Sequence, residues 1–181
     1  MENLIKRIKA GEIHADPGVV ISNKPGVKAL DRAKELGVPS AVIPSKDYPT
    51  REAFDEALAK HLDACKIDLI VLAGFMRVLT EGFVKKYWGR LINIHPALLP
   101  AFPGAHAIQE AWDAKVQETG VTVHFVDCGV DTGPIILQQK VPVLPGDTLE
   151  TLEARIHGVE YELYPEAVEL VLSGRVKIKK T

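Results

Sequence analysis

Cysteine is scarce in this chain, and several motifs that would indicate other functions are missing. Cys65 and Cys128 are the only cysteines among 181 residues, and no Cys-x-x-Cys spacing occurs. The sequence therefore favours neither a disulfide scaffold nor a structural zinc site, and we expect a protein of the reducing cytoplasm. A Gly-x-Gly-x-x-Gly motif and a Walker A motif are also absent, which leaves dinucleotide and P-loop nucleotide binding without support.

Charge and hydropathy argue against two more classes of protein. The formal net charge is −2, so no basic field indicates nucleic acid as a partner. No run approaches the ~20 apolar residues that cross a bilayer, and residues 1–9 lack the apolar core of a signal peptide. The 46% apolar and 25% charged residues are typical of a globular protein, and we expect one domain over residues 1–181, without a membrane partner.

Predicted strands alternate with predicted helices along the chain. Apolar runs at 19–21, 41–43, 68–73 and 90–94 predict buried strands, and the segments between them predict helices, with Thr50, Thr80 and Thr148 as N-caps. The runs at 121–126 and 135–141 predict an antiparallel hairpin, and 176–178 predicts a last edge strand. The order predicts a three-layer α/β fold whose mostly parallel, Rossmann-like sheet ends in a C-terminal antiparallel hairpin.

The predicted strand at 90–94 leads into the most informative residues. Asn93 and His95 lie two positions apart, so in a strand both side chains point to the same face, and Pro96 ends the strand. This strand end is where open α/β sheets place their active sites. Asp131, in a later loop, is a candidate to orient and charge the imidazole. The alternatives are a structural His95 and an Asp131 that serves only the hairpin turn. The combination indicates an acyl-transfer site.

Other polar and glycine-containing segments allow more than one interpretation. The segment Ala73–Arg77 follows a predicted strand at the same sheet edge, where Gly74 permits a ligand to approach the backbone. A simple strand-to-helix turn explains the segment equally well. His124 is interpreted as a half-buried strand residue. His157 and Glu160 lie one turn apart on the last helix, and on their own they favour a solvated helix face.

Three longer motifs resemble the phosphoribosylglycinamide formyltransferase family. They are Ala73-Gly74-Phe75-Met76-Arg77, Asn93-Ile94-His95-Pro96-Ala97-Leu98-Leu99-Pro100 and Val130-Asp131-Thr132-Gly133-Pro134, within a match that runs from about residue 3 to residue 178. The Asn-x-His-Pro stretch is shared with the wider superfamily that uses 10-formyltetrahydrofolate. The resemblance implies transfer of a formyl group from 10-formyltetrahydrofolate to the amine of glycinamide ribonucleotide, in purine biosynthesis and without a metal.

The resemblance also implies roles for individual residues. The catalytic positions of the family correspond to Asn93, His95 and Asp131. Its folate-binding positions correspond to Arg51, Met76, Arg77, Val78, Leu79, Asp127, Cys128 and Val130. Its ribonucleotide-binding positions correspond to Asn3, His157 and Glu160, so the resemblance favours a function for Glu160 over a solvated face.

One part of the family pattern is missing at the start of this sequence. The family begins with a strand and a Gly-Ser-Asn phosphate-binding loop, and here only Asn3 corresponds to that motif. We expect the strands beside the missing one to have unpaired edges, which pair with each other or with another chain, such as a second copy in a homodimer. Two alternatives to a transferase stay open: a formyltetrahydrofolate hydrolase, and a non-catalytic or partner-dependent folate-binding module.

Overall fold

The structure is a computed structural model that describes residues 1–178. Its strands are β1 (Val20–Ser22), β2 (Ser40–Val42), β3 (Ile70–Leu72), β4 (Leu91–His95), β5 (Glu118–Phe125) and β6 (Ile135–Pro142). Its helices are α1 (Glu2–Lys9), α2 (Lys28–Glu35), α3 (Arg51–Ala64), α4 (Glu81–Lys86), α5 (Ala107–Asp113) and α6 (Leu149–Leu172). Within the described residues, none of these helices has the length and apolar character needed to span a membrane.

Side-chain caps fix the starts of three helices. The hydroxyls of Thr50, Thr80 and Thr148 each accept a hydrogen bond from the backbone N–H three residues later, which confirms the predicted N-caps. At the start of α6, Asp147 also accepts two hydrogen bonds of 2.7 Å from the guanidinium of Arg155. The long helix therefore begins at a position that its sequence specifies strongly.

The strands form two sheets rather than one. β1 and β2 pair in parallel, and the second sheet has the order β3-β4-β5-β6, in which β3 and β4 are parallel while β5 and β6 add antiparallel pairings. The C-terminal hairpin is therefore confirmed. Within the described residues, β1 and β3 each have a hydrogen-bonded strand on one side only. The two edges that the sequence predicted to be unpaired do not pair with each other.

Helices cover both faces of the strands, which gives the predicted three layers. On one face, a core cluster joins β5 and α6 with flanking residues from α1 and α5 (Val121, Val123, Phe125, Leu152, Ile156, Tyr164). On the other face, a second cluster joins α3, α4 and β4 (Phe54, Leu58, Phe83, Tyr87, Leu91). The apolar residues of β5 face the first cluster, so Thr122 and His124 face the opposite side of the sheet.

The predicted edge strand at 176–178 is wrong. α6 ends at Leu172, and Gly174 follows in the left-handed region with φ 71°. The backbone N–H of Val176 then donates to the carbonyl of Leu170, at 3.2 Å, instead of to a neighbouring strand. Val176 and Ile178 instead pack against the first core cluster, which includes residues of α6.

Candidate active site

The pairing of β4 with β5 collects polar side chains on one face of the sheet. Asn93 and His95 alternate along β4, and the antiparallel register sets His124 opposite Asn93 and Thr122 opposite His95. Directly opposite residues point to the same side of a sheet. His95, Thr122 and His124 are all buried there, so each polar group needs a partner inside the protein.

Asp131 reaches this group from the loop between β5 and β6. Its Oδ2 lies 3.3 Å from Nδ1 of His95 and accepts a hydrogen bond of 2.8 Å from the backbone N–H of Gly104. Its Oδ1 lies 3.5 Å from Nε2 of His124. The backbone of Asp131 has φ 54°, a left-handed conformation that Asp adopts more readily than most residues. The structure thus brings Asp131 together with His95 of β4 and His124 of β5.

Both ring nitrogens of His95 face oxygen acceptors. Nδ1 faces the carboxylate of Asp131, and Nε2 lies 2.7 Å from the carbonyl oxygen of Phe102. Only a doubly protonated imidazole has an N–H for each acceptor, so this geometry suits the charged ring. Phe102 itself has φ 51°, which is rare for a bulky residue and indicates backbone strain where its carbonyl meets His95.

His124 is a site residue that the sequence did not identify. Its Nδ1 lies 2.9 Å from the carbonyl oxygen of Phe125, which makes Nδ1 the donor and Nε2 the acceptor of a neutral ring. The same Nε2 lies 3.5 Å from Nδ2 of Asn93. Burial lowers the pKa of His124, which favours the neutral form. The prediction of a half-buried residue was wrong, because His124 is only 2% exposed.

A tight path of the loop at 126–134 carries Asp131 to the site. Oδ1 of Asp127 accepts hydrogen bonds from the backbone N–H of Gly129, at 3.0 Å, and from the hydroxyl of Thr132, at 2.8 Å. A Cβ on Gly133 would lie 1.8 Å from the carbonyl oxygen of Phe125. Glycine is required at this position because the loop passes directly against β5.

Thr122 and Gln138 hold the loop that follows β4. The hydroxyl of Thr122 donates to the carbonyl of Ala97, at 2.6 Å, and accepts from the N–H of Leu99, at 3.1 Å. The side-chain amide of Gln138 donates to the carbonyl of Leu99, at 3.0 Å. These bonds fix the start of the loop in which Phe102 contacts the imidazole of His95 and Gly104 contacts the carboxylate of Asp131.

The predicted folate positions lie in three places, and most of them are exposed. Four follow β3, at the sheet edge next to Asn93: Met76 is 78% and Val78 54% exposed, Leu79 is buried, and the guanidinium of Arg77 lies 5.0 Å from the centre of the Phe54 ring. Arg51 is the exposed first residue of α3. The remaining three flank Asp131: Asp127 is half-buried, while Cys128 and Val130 are exposed.

A small cleft opens beside Asp131. Its volume is about 230 Å³. Its walls include apolar residues from the loop after β4, from the loop between β5 and β6 and from the start of β6 (Leu99, Pro100, Pro103, Val130, Ile135). The cleft combines this apolar surface with the carboxylate of Asp131.

The three predicted ribonucleotide positions lie together around α6. Nδ1 of His157 lies 2.7 Å from a carboxylate oxygen of Glu160. The side-chain amide of Asn3 donates to the carbonyl of Tyr161, at 2.7 Å. Because Pro165 has no N–H, the carbonyl of Tyr161 loses its usual partner four residues later in the helix. The Asn3 amide therefore occupies a freed backbone acceptor directly beside Glu160.

Comparisons with known proteins show the family of the chain. A family model described as formyl transferase matches residues 1–168. The chain is 51% identical over 172 residues to the trifunctional purine biosynthetic protein adenosine-3 of Drosophila melanogaster, of which it spans only 13%. It is 40% identical over 171 residues to phosphoribosylglycinamide formyltransferase of Bacillus subtilis, covering 94% of this chain and 88% of that protein.

Solved structures show the same relationship. The phosphoribosylglycinamide formyltransferase of Bacillus halodurans superimposes with a TM-score of 0.93 at 44% identity, over 97% of this chain and 90% of that one. The glycinamide ribonucleotide transformylase 1 of Symbiobacterium toebii gives a TM-score of 0.95 at 44% identity, over 98% and 84% of the two chains. With a matching family model, close relatives and a shared fold, the chain belongs to the formyl transferase family.

Proposed function

We propose that the protein transfers a formyl group from 10-formyltetrahydrofolate to the amine of glycinamide ribonucleotide, a step of purine biosynthesis. The observation that carries this proposal is that Asn93 and His95 share one face of β4 and that the carboxylate of Asp131 lies 3.3 Å from the His95 ring. The bacterial relatives named for this reaction match over most of their length. In the much longer trifunctional relatives, the matching part is 12–18% of the protein.

The chemistry begins with attack of the substrate amine on the formyl carbon. As the new C–N bond forms, negative charge develops on the formyl oxygen, and Asn93 and protonated His95 are the donors for it. Donors of this kind typically contribute about 3–4 kcal/mol each to stabilising the transition state. Nε2 of His95 now lies 2.7 Å from the carbonyl of Phe102, so it must exchange that carbonyl for the formyl oxygen.

Asp131 is the proposed proton carrier. The attacking amine must lose a proton, and the departing folate nitrogen must gain one as its bond to the formyl carbon breaks. The Asp131 side chain is 13% exposed and lies beside both imidazoles, so it is partly shielded yet reachable by substrate. One carboxylate that accepts the first proton and returns it to the folate nitrogen, directly or through water, balances the reaction.

Two groups of residues would hold the substrates. The exposed apolar side chains of Met76, Val78 and Val130 support a folate surface, bounded by Arg51, Arg77 and Leu79 and by Asp127 and Cys128. Glu160 is proposed to contact the ribonucleotide amine, with His157 and Asn3 beside it. The Glu160 side chain keeps 20% of its surface exposed, so its carboxylate remains accessible to a cationic or amine group.

The decisive experiment measures acceptor identity. We expect tetrahydrofolate release from 10-formyltetrahydrofolate to require glycinamide ribonucleotide and to yield formylated product rather than formate. Asp131→Asn should lower kcat by about 10²–10⁴-fold, because it removes the proton carrier. Formate release that does not depend on the ribonucleotide would indicate a hydrolase instead. Folate binding without turnover would indicate a non-catalytic or partner-dependent module.

We further propose that residues 1–181 form one domain. We also propose that a second copy of the chain, in a homodimer, covers the free edges of β1 and β3. Each of these two short parallel strands has one edge without a strand partner among residues 1–178, and such edges are typical sites of pairing between chains. Light scattering over a range of concentrations tests this, and an active monomer at all concentrations would contradict it. A cytoplasmic location is proposed because Cys65 and Cys128 are free thiols.

A further inference from the structure

A buried tyrosine joins α6 to both strands that lead into the site. The hydroxyl of Tyr164 lies 2.6 Å from the carbonyl oxygen of Leu72 and 3.3 Å from that of Ile92. Leu72 ends β3 and precedes the loop with the proposed folate positions, while Ile92 directly precedes Asn93 on β4. Burial raises the pKa of Tyr164 well above 10, so the hydroxyl stays a donor. One side chain thus contacts both strands at the sheet edge where substrates would meet.

The part of α6 that Tyr164 anchors is missing a helical hydrogen bond. Pro165 follows Tyr164 and has no N–H to donate to Tyr161. Glu160 lies four residues before Tyr164, which is about 6 Å along the helix axis and on the same helix face. The side-chain amide of Asn3 donates to the carbonyl of Tyr161 in place of the missing N–H. The turn that carries Glu160 therefore depends on side-chain anchors for its position.

We propose that Tyr164 is a positioning residue for the acceptor substrate, because its hydroxyl holds the Glu160 turn of α6 against β3 and against β4, the strand that carries Asn93. This inference rests on the proposed contact between Glu160 and the ribonucleotide amine. Tyr164 itself touches no reacting atom. Its contribution is to fix the separation between the amine-binding carboxylate and the carboxamide that faces the formyl oxygen.

The test variant is Tyr164→Phe, which keeps the buried ring and removes only the hydroxyl. We expect kcat/KM for glycinamide ribonucleotide to fall by roughly 10–100-fold, the scale of effect that a misplacement of about 1 Å produces. The KM for 10-formyltetrahydrofolate should change much less, because the proposed folate positions after β3 begin at Met76, four residues beyond the Leu72 carbonyl that the hydroxyl contacts. A purely structural role would reduce the fraction of active protein, and that would lower kcat while leaving both KM values unchanged.

Tyr87→Phe is the matched control. Tyr87 is also a buried tyrosine whose hydroxyl contacts two acceptors, a carboxylate oxygen of Asp63 at 2.8 Å and the carbonyl of Ala59 at 3.2 Å. It belongs to the second core cluster, directly after α4 and away from α6. Both variants should lower the urea midpoint, but only Tyr164→Phe should change the kinetics of the ribonucleotide. Equal kinetics for the two variants would overturn the proposal.

Two further variants separate the possible failures. If Glu160→Gln leaves the ribonucleotide KM unchanged, the proposed amine contact is wrong, and the role of Tyr164 falls with it. If Glu160→Gln raises that KM while Tyr164→Phe has no effect, only the positioning role is wrong. Should Tyr164→Phe not fold, the double variant Tyr164→Phe/Pro165→Ala supplies a helix-forming residue and an N–H for Tyr161. We expect it to fold with a KM between those of the wild type and Glu160→Gln, and a wild-type KM would overturn the proposal.

Discussion

Gly133 offers the sharpest test of whether the path of the Asp131 loop matters for activity. A Cβ at this position would lie 1.8 Å from the carbonyl oxygen of Phe125, and real Cβ atoms essentially never approach below 3.0 Å. In Gly133→Ala the loop must therefore retreat from β5 by about 1.2 Å. The clash is with backbone in a strand, so β5 itself cannot rotate away as a side chain would.

The retreat would disturb the catalytic geometry while leaving the protein folded. The contact between Asp131 and His95 is already 3.3 Å long, and a shift of about 1 Å would take it beyond hydrogen-bonding distance. Such a misplacement costs on the order of a hundredfold in rate, or about 2.7 kcal/mol of transition-state stabilisation. Overpacking of a buried position typically lowers the free energy of unfolding by about 1–3 kcal/mol. We expect a folded protein with roughly a hundredfold lower kcat.

Steady-state kinetics and urea unfolding of the same preparation measure both effects. Gly82→Ala is the control, because a Cβ there meets nothing within 4 Å and α4 lies outside the proposed catalytic contacts. Its activity should equal that of the wild type, with stability unchanged or slightly higher. A folded Gly133→Ala with wild-type kcat would refute the argument that the loop position sets the catalytic geometry.

Three further predictions concern bonds outside the reacting atoms. Hydrogen bonds from Arg155 hold the pKa of Asp147 well below its usual 3.8, so the stability that this carboxylate contributes is complete at pH 7 and is lost as the pH falls through its folded-state pKa. In urea titrations, the stability advantage of the wild type over Asp147→Asn should shrink steadily below about pH 4. Asp55→Ala removes the acceptor of the Thr80 N–H, at 2.6 Å, and so loosens the end of the segment with the proposed folate positions 76–79. In initial-rate assays it should raise the KM for folate but not the KM for the ribonucleotide. Thr122→Val leaves buried backbone groups unpaired and should lower the free energy of unfolding by roughly 1–3 kcal/mol, measured by urea denaturation.

Local signals predicted the helices well. A threonine cap acts within four residues, so Thr50, Thr80 and Thr148 marked helix starts that the structure confirms. The predicted strand at 176–178 was wrong because its structure depends on packing against distant residues rather than on local interactions. Its apolar residues fit the alternation of a strand, but they pack against the core cluster that includes α6. An alternating pattern shows that one face is buried and does not show which element buries it.

The contacts of His124 and Tyr164 with distant segments could not be predicted from the sequence pattern. His124 faces Asn93 only because of the register of β4 on β5, and a shift of one residue would have turned it to the other face. The alternation of Thr122 and His124 with apolar neighbours was the available signal for a polar inner face. Tyr164 gave no such signal, since its acceptors lie 92 and 72 residues away in the sequence.

The loop after β4 connects the two groups on which the proposed reaction depends. Its Phe102 carbonyl contacts Nε2 of His95, and two residues later its Gly104 N–H donates to Oδ2 of Asp131. To stabilise the formyl oxygen, His95 must give up the first contact. A movement of the loop that releases it also pulls on the second, because only one residue separates them. When substrate displaces the loop, Nε2 of His95 would become available to the formyl oxygen in the same step in which Oδ2 of Asp131 loses its backbone donor.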